Sequence, residues 1–135
     1  MKKWKKLSSK IIFTHPRLIL SEDRVRLPGG HETDYLTFQE GGDYVTVICI
    51  DKSGKMLINK EHTYTLNDAL LQFPEGGIDL GEPVEKAARR ELQEETGYIP
   101  KDAVEIGSAM SHHRRNNTRQ RVVIATGLKF DHQSI

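Results

Sequence analysis

From the amino terminus, the apolar positions come in short bursts separated by turn-forming residues. Residues 11–13 and 18–20 flank Pro16, residues 25–27 run into Pro28-Gly29-Gly30, and residues 35–38 alternate apolar with polar side chains. Runs of this kind predict short strands, the last of them half exposed. Gly41-Gly42 opens the clearest strand, residues 44–50, where β-branched side chains predict a central position in a sheet. Asp51 to Gly54 turns the chain into residues 55–59, which predicts a hairpin with that strand. A polar loop through Asn67-Asp68 then leads to residues 70–73 and a turn at Pro74-Glu75-Gly76-Gly77, and residues 104–106 and 122–126 are expected as later strands.

The period changes at Pro83. Residues 83–96 read as a helix, with Pro83 suited to its first turn and Gly97 placed to end it. Glu91, Glu94 and Glu95 are spaced i, i+3, i+4 and share one side. At about 100° per residue, Val84, Ala88, Glu91 and Glu95 fall within an arc of roughly 60°. Leu92 flanks one edge of that arc, and Ala87 and Glu94 the other, while Glu85, Lys86, Arg89, Arg90 and Gln93 cover the opposite side. An amphipathic helix should keep its carboxylates with the second group; this one aims two along its apolar face. Carboxylates crowded near a core repel one another and lose hydration. Bound Mg²⁺ or Mn²⁺ relieves both penalties and also recruits phosphate groups. The ordinary alternative, a solvated acidic helix end, is the usual fate of adjacent residues such as Glu94-Glu95 taken alone. The inward placement and the glycine turn weigh against it, because Gly76 and Gly77 permit close backbone approach and a loop before a helix offers free carbonyls.

Composition narrows the setting without naming the chemistry. A chain of 135 residues, 36% hydrophobic and 29% charged, reads as one globular domain. A formal net charge of +1 gives no global field for nucleic acid or membrane, so phosphate recognition must be local. Cys49 is the only cysteine, which excludes an intrachain disulfide and suits a reducing cytoplasm. The lysine-rich start lacks the apolar stretch of a secretory leader, so a cytoplasmic protein is expected. Residues 111–121 are strongly basic. Arg114 and Arg115 there either grip substrate phosphate or belong to a solvated loop. No aromatic side chain interleaves this stretch, which disfavours RNA.

Gly76, Glu82, Arg90-Glu91-Leu92, Glu94-Glu95 and Gly97 together resemble the signature of the Nudix hydrolases, G-x5-E-x7-R-E-U-x-E-E-x-G-U, with Tyr98 at the last aliphatic position U. The resemblance implies an α/β (α+β) Nudix fold, a mixed β-sheet sandwiched between helices and preceded by antiparallel strands. With the chain stopping at Ile135, the C-terminal helix of that fold is expected to be absent. One domain over 1–135 is implied, with 1–40 as N-terminal strands and dimerisation element and 41–135 as catalytic core. It further implies hydrolysis of a nucleoside diphosphate linked to a further group. Glu91, Glu94, Glu95 and the Gly76 carbonyl would hold Mg²⁺ or Mn²⁺. Glu91, Glu94 and Arg90 would be catalytic, with Glu82 orienting through an ion pair to Arg90 and Gly97 structural. The general base in the family lies either at the position of Glu91 or on a later acidic loop.

The order of elements, the turn after Val25-Arg26-Leu27 and the pair Phe73-Pro74 are similar to the ADP-ribose pyrophosphatase branch, in which N-terminal strands help form a homodimer with a shared substrate site. Arg26, Gln72, Arg114 and Arg115 are the expected substrate-binding residues. Thr63 and Gln72 depart from that branch, where an arginine and a glutamate are usual, so ADP-ribose stands beside other nucleoside diphosphate sugars. The alternatives are a nucleotide-sensing module that does not cut, and a hydrolase of nucleoside triphosphates or dinucleoside polyphosphates. No stable nucleic-acid complex and no membrane partner is expected.

Overall fold

The computed structural model describes residues 1–131 and divides into two compact units. The first comprises Met1–Gly41 with Met110–Thr118. Its strands β1 (Lys5–His15), β2 (Leu18–Arg26) and β3 (Glu32–Gln39) form an antiparallel sheet in sequence order. Pro16 and Arg17 are the whole connection between β1 and β2, because His15 pairs directly with Leu18. The strands are much longer than their apolar bursts: residues 5–10 carry no apolar alternation, yet they pair with β2 as far as Lys5 opposite Arg26. All of β1 is exposed, including Ile11, Ile12 and Phe13. The segment 110–118 joins this unit through β3, with the Phe38 N–H donating to the Arg115 carbonyl at 2.9 Å.

The second unit comprises Gly42–Ala109 and Arg119–Ile135. Strands β4 (Tyr44–Ile50), β5 (Asn59–Thr63), β6 (Asp68–Gln72) and β7 (Glu75–Gly77) precede α1 (Val84–Thr96). After it come β8 (Tyr98–Ile99), β9 (Asp102–Ala109), β10 (Gln120–Thr126) and β11 (Lys129–Phe130). The main sheet runs β7-β4-β10-β9, with β4 parallel to β10 and the other pairs antiparallel, so it is mixed and β4 is central as expected. Alternation in β4 sends Val45, Val47 and Cys49 to one face. There, with Val123 and Ala125, they pack against Ala87, Ala88 and Leu92 of α1. Gly97 ends the helix at φ 74°, a left-handed geometry that glycine adopts without strain, and its N–H caps the Gln93 carbonyl.

The fold is the mixed α+β arrangement expected, and among the described residues α1 is the only helix, packed on one face of the main sheet. Two expectations change. Residues 55–59 do not form a hairpin strand with β4; a single bridge joins Ile50 and Met56, and β5 pairs with β6 instead. Asp51 explains the break, since its carboxylate takes the N–H groups of Ser53 and Lys55 and curls the chain tightly after β4. Finally, Glu75-Gly76-Gly77 is not a turn but the edge strand β7, laid antiparallel along Tyr44, Val45 and Thr46. No described helix is long and apolar enough to cross a membrane.

Candidate active site

Strand β7, the loop after it and α1 bring one arginine and several carboxylates together. Gly76 pairs with Val45, on the sheet face that α1 covers, and Glu91 comes up against it from the helix. A Cβ added at Gly76 would stand 2.1 Å from the Glu91 carboxyl carbon, so only glycine leaves room for that side chain. Arg90 sits one residue earlier, and its guanidinium is held on several sides. Nε and Nη2 donate to the two Glu82 oxygens at 3.2 and 2.9 Å, Nη2 also reaches the Gly77 carbonyl at 2.8 Å, and Nη1 donates to Glu91. Glu94 is a looser partner at 3.5 Å on an exposed side chain.

This fork–fork geometry makes Glu82 an anchor. Its side chain is 7% exposed, and the Arg90 hydrogen bonds hold its carboxyl down at about 2. The Arg90 guanidinium is correspondingly stabilised in its charged form, chiefly by Glu82 and also by Glu91. The chain before the helix is braced locally as well, with Asp79 and Glu82 exchanging backbone and side-chain hydrogen bonds.

Glu95 behaves in the opposite sense. Burial of its carboxyl, followed by the charge of Glu61, raises it to about 7; a Glu75 backbone hydrogen bond opposes the rise, and the charges of Glu91 and Glu75 add smaller upward pushes. One Glu95 oxygen accepts a hydrogen bond from the Asn59 amide at 2.9 Å. The residue as a whole is nonetheless exposed, which corrects the expectation that it points along the buried face. Of the inward-aimed pair, Glu91 is the enclosed member, with a side chain 13% exposed. Sequence reading missed Asn59, Glu61 and Glu75. Glu61 accepts from the Gln72 amide at 2.6 Å across the β5–β6 pair, and that partnership depends on a register that composition does not reveal.

Two observations make this site suited to a hard divalent cation: the missing Cβ at Gly76 and a carboxyl driven toward neutrality by burial and by neighbouring carboxylates. Oxygen donors of this kind are natural ligands for Mg²⁺ or Mn²⁺. Among the described residues, no three carboxylates or imidazoles already converge on one point as ligands, since Arg90 engages Glu91 and Glu94 turns to solvent.

The expected substrate-binding residues divide between the units. Gln72 lies in the second, beside Glu61. Arg26, Arg114 and Arg115 lie in the first. Arg26 is paired with Glu32 at 2.6 Å, and Arg115 lies over the Tyr35 ring at 4.7 Å while donating to the Leu36 carbonyl.

Residues 42–132 match the NUDIX domain. The chain is 30% identical over 102 residues to an ADP-ribose pyrophosphatase of Bacillus subtilis, covering 76% of this chain and 55% of that protein. An RNA pyrophosphohydrolase of Bartonella bacilliformis is 59% identical over 44 residues, 33% of this chain and 26% of the relative. The chain thus spans between about a quarter and a little over half of these curated relatives. A crystal structure of an ADP compounds hydrolase shares the fold, with a TM-score of 0.86 at 20% identity, over 97% of this chain and 71% of that one.

Proposed function

Because the chain belongs to the NUDIX domain family, we propose that it hydrolyses the diphosphate linkage of a nucleoside diphosphate derivative, ADP-ribose or a nucleoside diphosphate sugar, with the help of Mg²⁺ or Mn²⁺. The observation that carries this reading is the seating of Glu91 against Gly76 while Arg90 and Glu82 hold it from the side. The name of the Bacillus subtilis relative supports the choice of substrate class.

In this reading Glu91, Glu94, Glu95 and the Gly76 carbonyl hold the metal. Bound metal supplies neutralisation of the diphosphate and a water acidic enough to attack phosphorus near neutral pH. The protein's own part is positional. Glu82 fixes the Arg90 plane, Arg90 fixes Glu91, and Glu91 receives a proton from the attacking water. Asn59 directs one Glu95 oxygen. Arg26, Gln72, Arg114 and Arg115 contact the nucleotide, and the exposed β1 strand pairs two copies into a homodimer in the cytoplasm.

The test is product release from ADP-ribose, nucleoside diphosphate sugars, dinucleoside polyphosphates, nucleoside triphosphates and a 5′-triphosphorylated RNA, with Mg²⁺ and then with EDTA. Metal-dependent cleavage of ADP-ribose or a nucleotide sugar is expected. Preference for the RNA would favour the second reading, which the name of the Bartonella relative supports. Tight binding without product would make the protein a sensor.

A further inference from the structure

The β5–β6 pair is a two-stranded sheet of its own within the second unit. Partners in its antiparallel register share a face, so Asn59, Glu61 and Thr63 lie together with Gln72, Leu70 and Asp68. This face adjoins the carboxylate end of α1, because the Asn59 amide donates to Glu95 at 2.9 Å. Among its six residues there is no lysine or arginine, and the cation Lys60 falls on the other face. Phosphate therefore finds no countercharge here, and what the face offers a ligand is hydrogen bonding.

Gln72 and Glu61 make that offer specific. Gln72 Nε2 donates to Glu61 Oε2 at 2.6 Å across the strand pair, and both side chains are half-buried. A glutamine amide carries a donor and an acceptor of similar size, so an unrestrained one can present either to a ligand. A carboxylate accepts and does not donate, so beside Glu61 the amide must turn its nitrogen inward. The Gln72 carbonyl oxygen Oε1 then lies on the opposite side of the amide, fixed as an acceptor. An acceptor on a face without cations selects an uncharged group with a hydrogen to give. A sugar hydroxyl is such a group; the third phosphate of a nucleoside triphosphate is not.

We propose that Glu61 is a positioning residue for substrate choice: by holding the Gln72 nitrogen, it aims the Gln72 carbonyl oxygen at a hydroxyl of the sugar linked to the nucleoside diphosphate. The proposal rests on the hydrolytic reading for the place of the substrate. Glu61 itself acts through Gln72, so its removal matters only while Gln72 is present.

The test is calorimetric binding to the full chain with Mg²⁺ of methylene-bridged ADP-ribose and methylene-bridged ADP. In both, carbon replaces the bridging oxygen and blocks hydrolysis. The readout is the ratio of the two affinities, in which effects that reach the metal through Glu95 fall on both ligands alike and cancel. Gln72→Ala should lower the preference for the sugar-bearing ligand by about tenfold, and Glu61→Ala should lower it nearly as far. The double alanine variant should lose no more than Gln72→Ala alone. Exchanging the two residues, Glu61→Gln with Gln72→Glu, keeps a donor facing a carboxylate and should restore the preference. Thermal melts check that each variant is folded. An unchanged ratio in folded Glu61→Ala, full additivity in the double variant, or equal weakening of both ligands would overturn the proposal. Wild-type protein that binds neither analogue would overturn it together with the substrate class. Sugar-dependent binding that follows the expected pattern without turnover of ADP-ribose would sink the hydrolytic reading and leave the role of Glu61 standing.

Discussion

The segment from β7 through α1 and the amino-terminal sheet both gather charge, and they settle it in opposite ways. Around Arg90 each inner charge is answered within a short stretch of chain: Glu82 eight residues back, Glu91 one ahead, Glu94 four ahead. In the first unit Arg26 and Arg24 are answered across the β2–β3 pair by Glu32 and Asp34, but other contacts come from far away. Tyr35 and Arg115 are eighty positions apart in sequence yet stacked, and Asp23 keeps an oxygen with no donor. A charge cluster closed by local spacing is a self-contained device. One assembled from distant strands leaves room, and here that room is a cavity of about 440 Å³ beside Trp4, Tyr35 and Phe38.

The largest test of this contrast lies in the closed cluster. Glu91→Gln or Glu95→Gln should reduce turnover by more than the roughly 10–100-fold that loss of a supporting partner costs, with circular dichroism unchanged. Full activity in both would dissolve the idea that the cluster works as a unit. Next, Gly76→Ala should drive the Glu91 carboxyl from its seat, lowering kcat by about 10–100-fold and stability by about 1–3 kcal/mol. A thermal melt beside a rate measurement separates the two effects. Arg90→Lys keeps the charge but loses the fork, and an intermediate loss within about 10–100-fold is expected because lysine cannot span both Glu82 oxygens and Glu91.

The closed cluster was legible because its information is periodic. The spacing of Glu91, Glu94 and Glu95 on a 3.6-residue repeat put them on one side of α1, and Pro83 and Gly97 marked its ends. Even there the reading overreached at Glu95, because helical angle alone does not say that Asn59 waits beside the helix end. The long strand β1 was not legible: exposed on both faces, it has no alternation to announce it. The strand character of Gly76-Gly77 was hidden too, since two glycines read as a turn until Val45 and Tyr44 are seen pairing with them.

A pH titration of the metal-free protein sharpens the comparison further. The Glu95 carboxyl titrates near 7 in the fold, above its ordinary 4.5, so the folded state holds this proton more tightly than the unfolded chain. Its contribution is therefore present below about pH 4.5 and lost as pH rises through 7. With EDTA present, Tm should fall between pH 5 and 8, and Glu95→Gln should flatten that part of the curve. Equal slopes in both proteins would mean that neither burial nor the surrounding carboxylates press on Glu95. The smallest effect is expected in the first unit. Ile11→Thr on exposed β1 should change the stability of a dilute monomer by no more than about 0.5 kcal/mol. A larger, concentration-dependent loss measured by chemical denaturation would show that a second copy covers the strand.

The parallel pairing of β4 with β10 has a kinetic consequence. Tyr44 meets Gln120 only after the whole of β5 to β9, including α1, has been laid between them. Long-range parallel contacts close slowly, because the intervening chain must be ordered before they repay it. The helix with its glutamates can thus form early from local signals, while the floor beneath it waits for β10. Refolding followed by helical circular dichroism should run ahead of the step that shields Cys49 from thiol reagents, since that side chain is enclosed only in the finished sheet.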